Sequence, residues 1–291
     1  MDVFQLVTER IINELEHGVV PWHKPWISMN HGAYNCITGR RYGTLNQMML
    51  LHDGPYASLQ QWNRLGGTVK KGSVSETVTF WKVPEKDSET KLEKTSEETM
   101  EKKRPVLRYY RVFHISQVDG IKDQDIIPGS LEYNLHADAE QVFQNYLEFE
   151  DVTFEQEISD RAFYSPEKDL IHLPARSQFQ DQSLYYSTVF HEVCHSTGHF
   201  KRIGRAGVLR PDFGAECYSK EELIAEIGAA CMLRTLGIDT TESINNSAAY
   251  IDGWLGAIRD NRFMVAAAAG QAEKAVRFIL DCSRFQERNN V

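Results

Sequence analysis

His191 and His195 stand four residues apart in the stretch Thr188-Val-Phe-His-Glu-Val-Cys-His-Ser-Thr-Gly-His-Phe200. On an α-helix that spacing places two imidazoles on one face, where a single tetrahedral metal ion takes both. Glu192, beside the first histidine, is placed to serve as general base toward a metal-activated water. The pattern needs a third ligand, because a catalytic zinc keeps three protein ligands and one open position. The extended pattern H-E-x-x-H-x-x-G-x-x-H is excluded, since Lys201 stands where its last histidine belongs. His199 falls just past Gly198, the residue expected to end the helix, and reads as a pocket or loop residue.

The better candidate for the third ligand lies in Tyr218-Ser-Lys-Glu-Glu-Leu-Ile-Ala-Glu226. Ser219 and Glu222 form a capping-box signature, which predicts a helix starting at Ser219. Glu222 and Glu226 share one face of it. Glu222 is expected to complete a His-His-Glu site, with Glu226 orienting a ligand histidine from behind. Glu221 and Glu226 are the alternative ligands, and two solvated helix glutamates are the ordinary reading of such a pair. The ion would be Zn²⁺ or another divalent cation, lowering the pKa of its water to about 7. Glu192 would take that proton and pass it to a leaving amine. Tyr218, His199 and His172 are candidates for stabilising the oxyanion.

Several elements must hold these groups. Leu184, Val189, Phe190 and Val193 would bury the metal helix, and Cys194 points into the core, away from both histidines. Arg161 to Pro174 reads as a hairpin turning at Pro166 to Asp169. Its second strand, Leu170 to Leu173, is expected to lie beside the metal as an edge on which an extended substrate could pair. Ser247 to Ser283 is helical by period and reads as packing.

A chain of 291 residues, 42% hydrophobic and 11% aromatic, suggests two domains with real cores. No apolar run approaches the roughly 18 residues of a membrane span. Met1 to Gly18 is acidic and amphipathic, which fits a surface helix and not a signal peptide. Five scattered cysteines without a C-x-x-C point to a reducing, cytoplasmic setting. The net charge of −9 is unevenly spread: Tyr34 to Lys82 carries six basic residues and two acidic ones. Such asymmetry is a pointer, though a weak one, to a nucleic-acid-facing half.

In that half, Pro21-Trp22 and Pro25-Trp26 force an extended segment that presents two tryptophans. Gly39 and Gly43 bracket Arg40, Arg41 and Tyr42 in a turn-rich stretch. Short helices are expected over 45–51 and 58–65, and a strand over 76–83. Aromatics interleaved with Arg and Lys offer planes for bases and charges for phosphates, as a single-strand binder requires; the plainer reading is a core of aromatics with a solvated basic rim. Pro84 to Pro105, where Lys and Glu alternate, reads as an insertion between this strand and another over 105–116. The domain boundary is expected in the polar stretch 122–133, giving units 1–125 and 134–291.

The chain resembles the ArdC-type antirestriction proteins of conjugative plasmids and mobile elements over nearly its whole length. In the first half the likeness is carried by Pro21-Trp22, Pro25-Trp26, Asn35, Thr38-Gly39-Arg40, Tyr42-Gly43, Asn46, Trp62, Gly66-Gly67, Lys71-Gly72, Phe80-Trp81, Val112-Phe113 and Gln117. In the second it is carried by Tyr164, Asp169, Ile171, Pro174, His191-Glu192, His195, Thr197-Gly198-His199, Glu221-Glu222-Leu223, Ala225-Glu226, Tyr250 and Trp254. The resemblance implies an α+β protein of two domains. The first would be an α+β single-stranded-DNA-binding domain of the kind found in plasmid-transfer primases. The second would be a zincin-like, gluzincin-type metallopeptidase domain carrying the H-E-x-x-H helix. DNA contacts are then expected from Trp22, Trp26, Arg40, Arg41, Tyr42, Asn46, Trp62, Lys70, Lys71 and Trp81. The implied function is protection of incoming DNA from host restriction, with a host protein such as a restriction-system component as substrate. Two other classes stand beside it: a DNA-binding shield whose metal is structural, and a cytoplasmic metalloprotease with no DNA role. The insertion at 84–105 departs from the family pattern.

Overall fold

The computed structural model describes residues 2–22, 32–82, 106–122, 125–128, 139–209, 215–238 and 251–289. The expected insertion, the two-domain linker and Trp26 therefore lie largely or wholly outside the described residues. In chain order the elements are α1 (Val3–Glu16), β1 (Ala33–Asn35), α2 (Thr44–Met49), β2 (Gly54–Ala57), α3 (Leu59–Arg64), β3 (Thr68–Val69), β4 (Glu76–Lys82), β5 (Val106–His114) and β6 (Val118–Asp119). The second half contains α4 (Ala139–Glu150), β7 (Thr153–Glu157), β8 (Phe163–Ser165), β9 (Leu170–Pro174), α5 (Gln182–Thr197), α6 (Ala206–Leu209), α7 (Ala215–Thr235), α8 (Ile251–Asp260) and α9 (Met264–Asn289). The architecture is α+β.

The first half is built on a four-stranded sheet in the order β1-β2-β5-β4, with a small β3-β6 ribbon beside it. β4 and β5 pair antiparallel from Glu76–Val112 to Lys82–Val106. Thr77, Val78, Thr79, Phe80 and Trp81 are the β-branched and aromatic types that suit such a pleated surface. Ser58 caps α3 in a reciprocal capping box with Gln61, which satisfies two orphan N–H groups at that end.

The second half places a three-stranded sheet, β7-β9-β8, against α5. β7 runs parallel to β9 and β8 antiparallel to it. β9 is therefore the central strand, not the edge expected over Leu170 to Leu173, and the sheet's edges are β7 and β8. The apolar run Leu170-Ile-His-Leu173, buried throughout, is what a strand paired on both sides requires. Phe143, Tyr146, Ile171, Leu173, Val189, Phe190 and Val193, each fully buried, form the core that fixes α5. Burying one such side chain stabilises by roughly 1.5–3 kcal/mol.

A second core joins the halves. Val7, Ile11 and Leu15 on one face of α1 pack with Trp22, Met48 and Met49 against Leu223, Ile227, Trp254, Ile258 and the alanines of α9. The amphipathic first helix thus has its apolar stripe inside the core built by the C-terminal helices. Among the described residues, no helix is long and apolar enough to cross a membrane.

Candidate metal centre

α5 starts at an Asp181 N-cap and ends at Gly198, and its sixteen residues keep His191 and His195 in helical register. α7 crosses it closely because Gly228 carries no side chain: a Cβ there would meet the Cys194 sulfur at 2.5 Å. α7 begins at Ala215, a full turn before the expected start at Ser219. The S-x-x-E signature is only two residue types, and Ala215 and Glu216 suit a first helical turn by propensity and charge. Glu222 consequently sits inside the helix, where neighbouring turns fix its backbone.

The crossing brings His191, His195 and Glu222 together. The two Nε2 atoms are 3.1 Å apart, and each lies 3.5 Å from a different Glu222 oxygen. Three ligands at zinc-type bond lengths and tetrahedral angles would be separated by about 3.3 Å. The donor set and its spacing therefore fit one divalent ion. Glu192 is only 6% exposed, on the same helix between the two histidines.

Each histidine has a carboxylate behind it. His191 Nδ1 lies 3.5 Å from Glu226, and His195 Nδ1 lies 3.4 Å from Glu221. Such contacts fix the tautomer and hold the ring for ligation. Glu221, an alternative ligand in the sequence reading, is instead gripped by Arg205, with Nε at 3.1 and 3.0 Å from its two oxygens. Arg205 also donates to Thr197 Oγ1 at 2.7 Å and the Cys194 carbonyl at 2.6 Å, so one buried guanidinium ties α5 to α7. Burial alone would raise the Glu221 carboxyl, but bonds from His195 and Arg205 outweigh it and hold it below its usual range.

Burial tends to lower His191, yet Glu222, Glu226 and Glu192 together push it up to about 9. A metal must displace that proton. Apparent affinity for a divalent ion is accordingly expected to rise about tenfold per pH unit as pH climbs toward 9, measured by competition with a chromophoric chelator. A pH-independent affinity would contradict this protonation state.

Asp169, in the β8–β9 turn, accepts two bonds of 2.9 Å from Arg202 and one of 2.8 Å from Tyr164. Arg202, whose side chain is fully buried, also reaches Glu150 at 3.1 Å and the Ser196 carbonyl at 2.9 Å. This network joins the sheet to the end of the metal helix. His199, 3% exposed, has its Nδ1 3.7 Å from Asp169, which makes it part of the network and not of the ligand set. His172, buried on the central strand, stacks on Phe163 at 4.9 Å. Tyr218 lies on α7, one turn before Glu222; its side chain is outside the described residues.

The residues expected to contact DNA divide. Trp62 is fully buried, its Nε1 donating to the Phe113 carbonyl at 3.0 Å. Trp22 is 7% exposed, edge-on to Trp254. Asn46 is buried and pairs with the Thr79 backbone, donating at 2.8 Å and accepting at 2.7 Å. Tyr42 packs partly into the sheet core. Trp22, Trp62 and Asn46 are thus buried, and Tyr42 is partly buried. Arg41 is half-buried and lines a partly open cavity. Arg40, Lys70, Lys71 and Trp81 are exposed, although Lys70 is shared with Asp119 at 3.6 Å.

Missing from that expectation are neighbours of Trp81. Phe80, Arg108, Tyr109 and Arg111 are all exposed on the β4–β5 hairpin, and the run Arg108-Tyr-Tyr-Arg111 carried the signal. Arg111 lies 5.9 Å over the Tyr109 ring. Trp81 continues through Phe4, at 6.0 Å, to Phe263, at 4.7 Å from Phe4, beneath Arg262.

Residues 138–271 match the zincin-like metallopeptidase family, and residues 1–113 match the N-terminal domain of anti-restriction factor ArdC. The Mn(II)-bound crystal structure of antirestriction ArdC protein from the R388 plasmid is 30% identical, with a TM-score of 0.73 over 97% of this chain and 98% of that one. The chain belongs to the ArdC antirestriction family. The metal-free ArdC structure matches at a TM-score of 0.72, over 98% of each chain. A DNA primase TraC of Escherichia coli is 33% identical over 95% of this chain, which spans only 20% of that protein's length.

Proposed function

We propose that this ArdC-family chain binds single-stranded DNA and is a metallopeptidase, protecting incoming DNA from restriction by acting on a host protein. The observation that carries the enzymatic half is the triangle of His191, His195 and Glu222 with Glu192 on the same helix. These three residues would hold Zn²⁺ or another divalent ion, as the Mn(II) in the plasmid R388 relative suggests. The ion, when bound, polarises a carbonyl and acidifies a water. Glu192 accepts the proton of that water as it attacks the scissile carbonyl, then returns it to the leaving amide nitrogen as the C–N bond breaks. Glu221 and Glu226 keep the two imidazoles in ligating orientation. β8, at the edge of its sheet and packed beside α5, is available to pair with an extended substrate.

The DNA-binding half rests on the hairpin and the strip that extends it. Trp81 and Tyr109, exposed by 54% and 48%, share one face of the hairpin with Arg111, and Phe80, exposed by 44%, shares the other with Arg108. Match to the ArdC N-terminal domain and to a primase supports nucleic acid as the partner. A base stacked on one aromatic contributes about 1–3 kcal/mol, so Trp81→Ala or Tyr109→Ala is expected to weaken oligonucleotide binding by roughly tenfold or more. Arg108→Gln is expected to reduce the log–log salt slope by about 0.7. Fluorescence anisotropy with a labelled single strand and its duplex checks both. Unchanged affinity and slope in all three variants would place the DNA site elsewhere. The four free thiols of the described residues suit a cytoplasmic setting.

A further inference from the structure

Between the two halves lies a cavity of about 160 Å³, walled by α2, α7 and α9 and by Pro21-Trp22. A volume of that size is well beyond the roughly 10–15 Å³ that admits one water. Trp22, Met48, Val276 and Leu280 line it with apolar surface, and Arg41, Arg234, Arg277 and Glu273 with charge.

The charges do not cancel. Arg234 pairs with the buried Asp53. Arg277 pairs with Glu273 at 2.8 Å, and Glu273 also accepts from the Thr44 N–H at 3.2 Å. Arg41 is the third cation. Asp53 and Glu273 act on it through space, yet its guanidinium makes no hydrogen bond or ion pair with any of the described residues. Burial, with Arg234 close by, holds its pKa below the usual guanidinium value. An Arg side chain does not give up its proton in proteins, so the charge stays and calls for an anion.

The group is also held in place. Arg41 bridges Tyr34 through the backbone, and its guanidinium lies against Gly32, where a Cβ would come within 3.2 Å of Nε. A second, independent observation points the same way. The Trp22 indole Nε1 is buried and has no partner among the described residues, and an indole N–H can only donate. Among the described residues, cation and donor both lack an acceptor; Asp53 Oδ2, the other buried atom without a partner, is not in the cavity wall.

We propose that this cavity binds a small organic anion: one carboxylate or phosphate head on a compact apolar body. The head would take Arg41 and the Trp22 N–H, and the body would lie against Met48, Val276 and Leu280. Its wall includes the turn of α7 after Ala230, on the helix that carries Glu222. Occupancy would therefore brace the helix that supplies the third metal ligand. The site is separate from the metallopeptidase and DNA readings and stands without them.

The test is calorimetric titration of the full chain with phenyl phosphate and with benzoate, beside benzyl alcohol as the uncharged control. One of the two anions is expected to saturate at one per chain with a Kd below about 1 mM and to raise Tm by linkage. Benzyl alcohol is expected to bind far more weakly. Arg41→Gln and Trp22→Phe, the second keeping the aromatic body and losing only the donor, are each expected to weaken the anion about tenfold. Two variants guard against one failing to fold, which circular dichroism reports. Displacement of the probe by a 5′-phosphorylated oligonucleotide would identify a nucleic-acid end as the source of the head; no displacement would identify a free small molecule. No saturable binding of either anion up to about 10 mM, or binding unchanged in both variants, would overturn the proposal.

Discussion

Glu192→Gln is expected to bind metal as the parent chain does and to lose hydrolysis by roughly 10²–10⁴-fold. The substitution keeps the side chain's size in a position that is 6% exposed, so packing is preserved. None of the three ligand atoms belongs to it. What disappears is the only carboxylate on α5 beside the histidines, and with it the proposed route for the proton from water to the leaving nitrogen. Cleavage of a denatured casein, followed by mass spectrometry of new N-termini, reads the rate. A chelator titration on the same samples reads the metal. Wild-type cleavage by the variant would remove Glu192 from the base role, and loss of metal would make its role structural.

The second large effect concerns Arg202. Asp169→Ala leaves a fully buried guanidinium without its bidentate partner, retaining only the Glu150 contact and the Ser196 carbonyl. Breaking a buried pair from one side costs about 3–5 kcal/mol, which for a chain of this size lowers Tm by roughly 10 °C. Replacing both partners, in Asp169→Leu with Arg202→Met, is expected to recover only part of that loss, because the largely buried Glu150 carboxylate then loses Arg202. The same pair sets an acid limit. Burial would raise Asp169, but Arg202 and Tyr164 overcome it and hold the folded-state pKa below the ordinary value. Its contribution is therefore complete above the ordinary carboxylate range and is lost as pH falls through the lowered value. Thermal unfolding at neutral and acid pH checks both statements; a loss below about 1 kcal/mol in Asp169→Ala would contradict them.

The candidate metal site was legible because its parts are local. H-E-x-x-H fixes two imidazoles by helix geometry alone, and Glu222 with Glu226 shares the same arithmetic one helix later. The pieces that reach across the chain were not legible. Arg205 gripping Glu221, and Arg202 joining Glu150 to Asp169, depend on crossings between elements far apart in sequence. Asp169 was visible only through the family likeness. Helix starts and strand neighbours failed for a related reason: a capping-box pattern at Ser219 also fits a helix interior, and no run of residues states which strand flanks it on each side. The tryptophans show a different limit. Trp22, Trp62 and Trp81 have the same chemistry, but two are packed and one is half-exposed, and only the fold decides which offers a stacking face. The run Arg108-Tyr-Tyr-Arg111, by contrast, could have been read as a strand that sets one arginine and one tyrosine on each face.

The proposed chemistry would depend on one divalent ion held by His191, His195 and Glu222, and elemental analysis after equilibrium dialysis against Zn²⁺ or Mn²⁺ tests that most directly. The wild-type chain is expected to retain one ion, His191→Ala and Glu222→Ala to lose it at the same free-metal concentration, and Glu192→Gln to keep it. Full retention by Glu222→Ala, or an unloaded wild type at millimolar metal, would contradict the proposed centre.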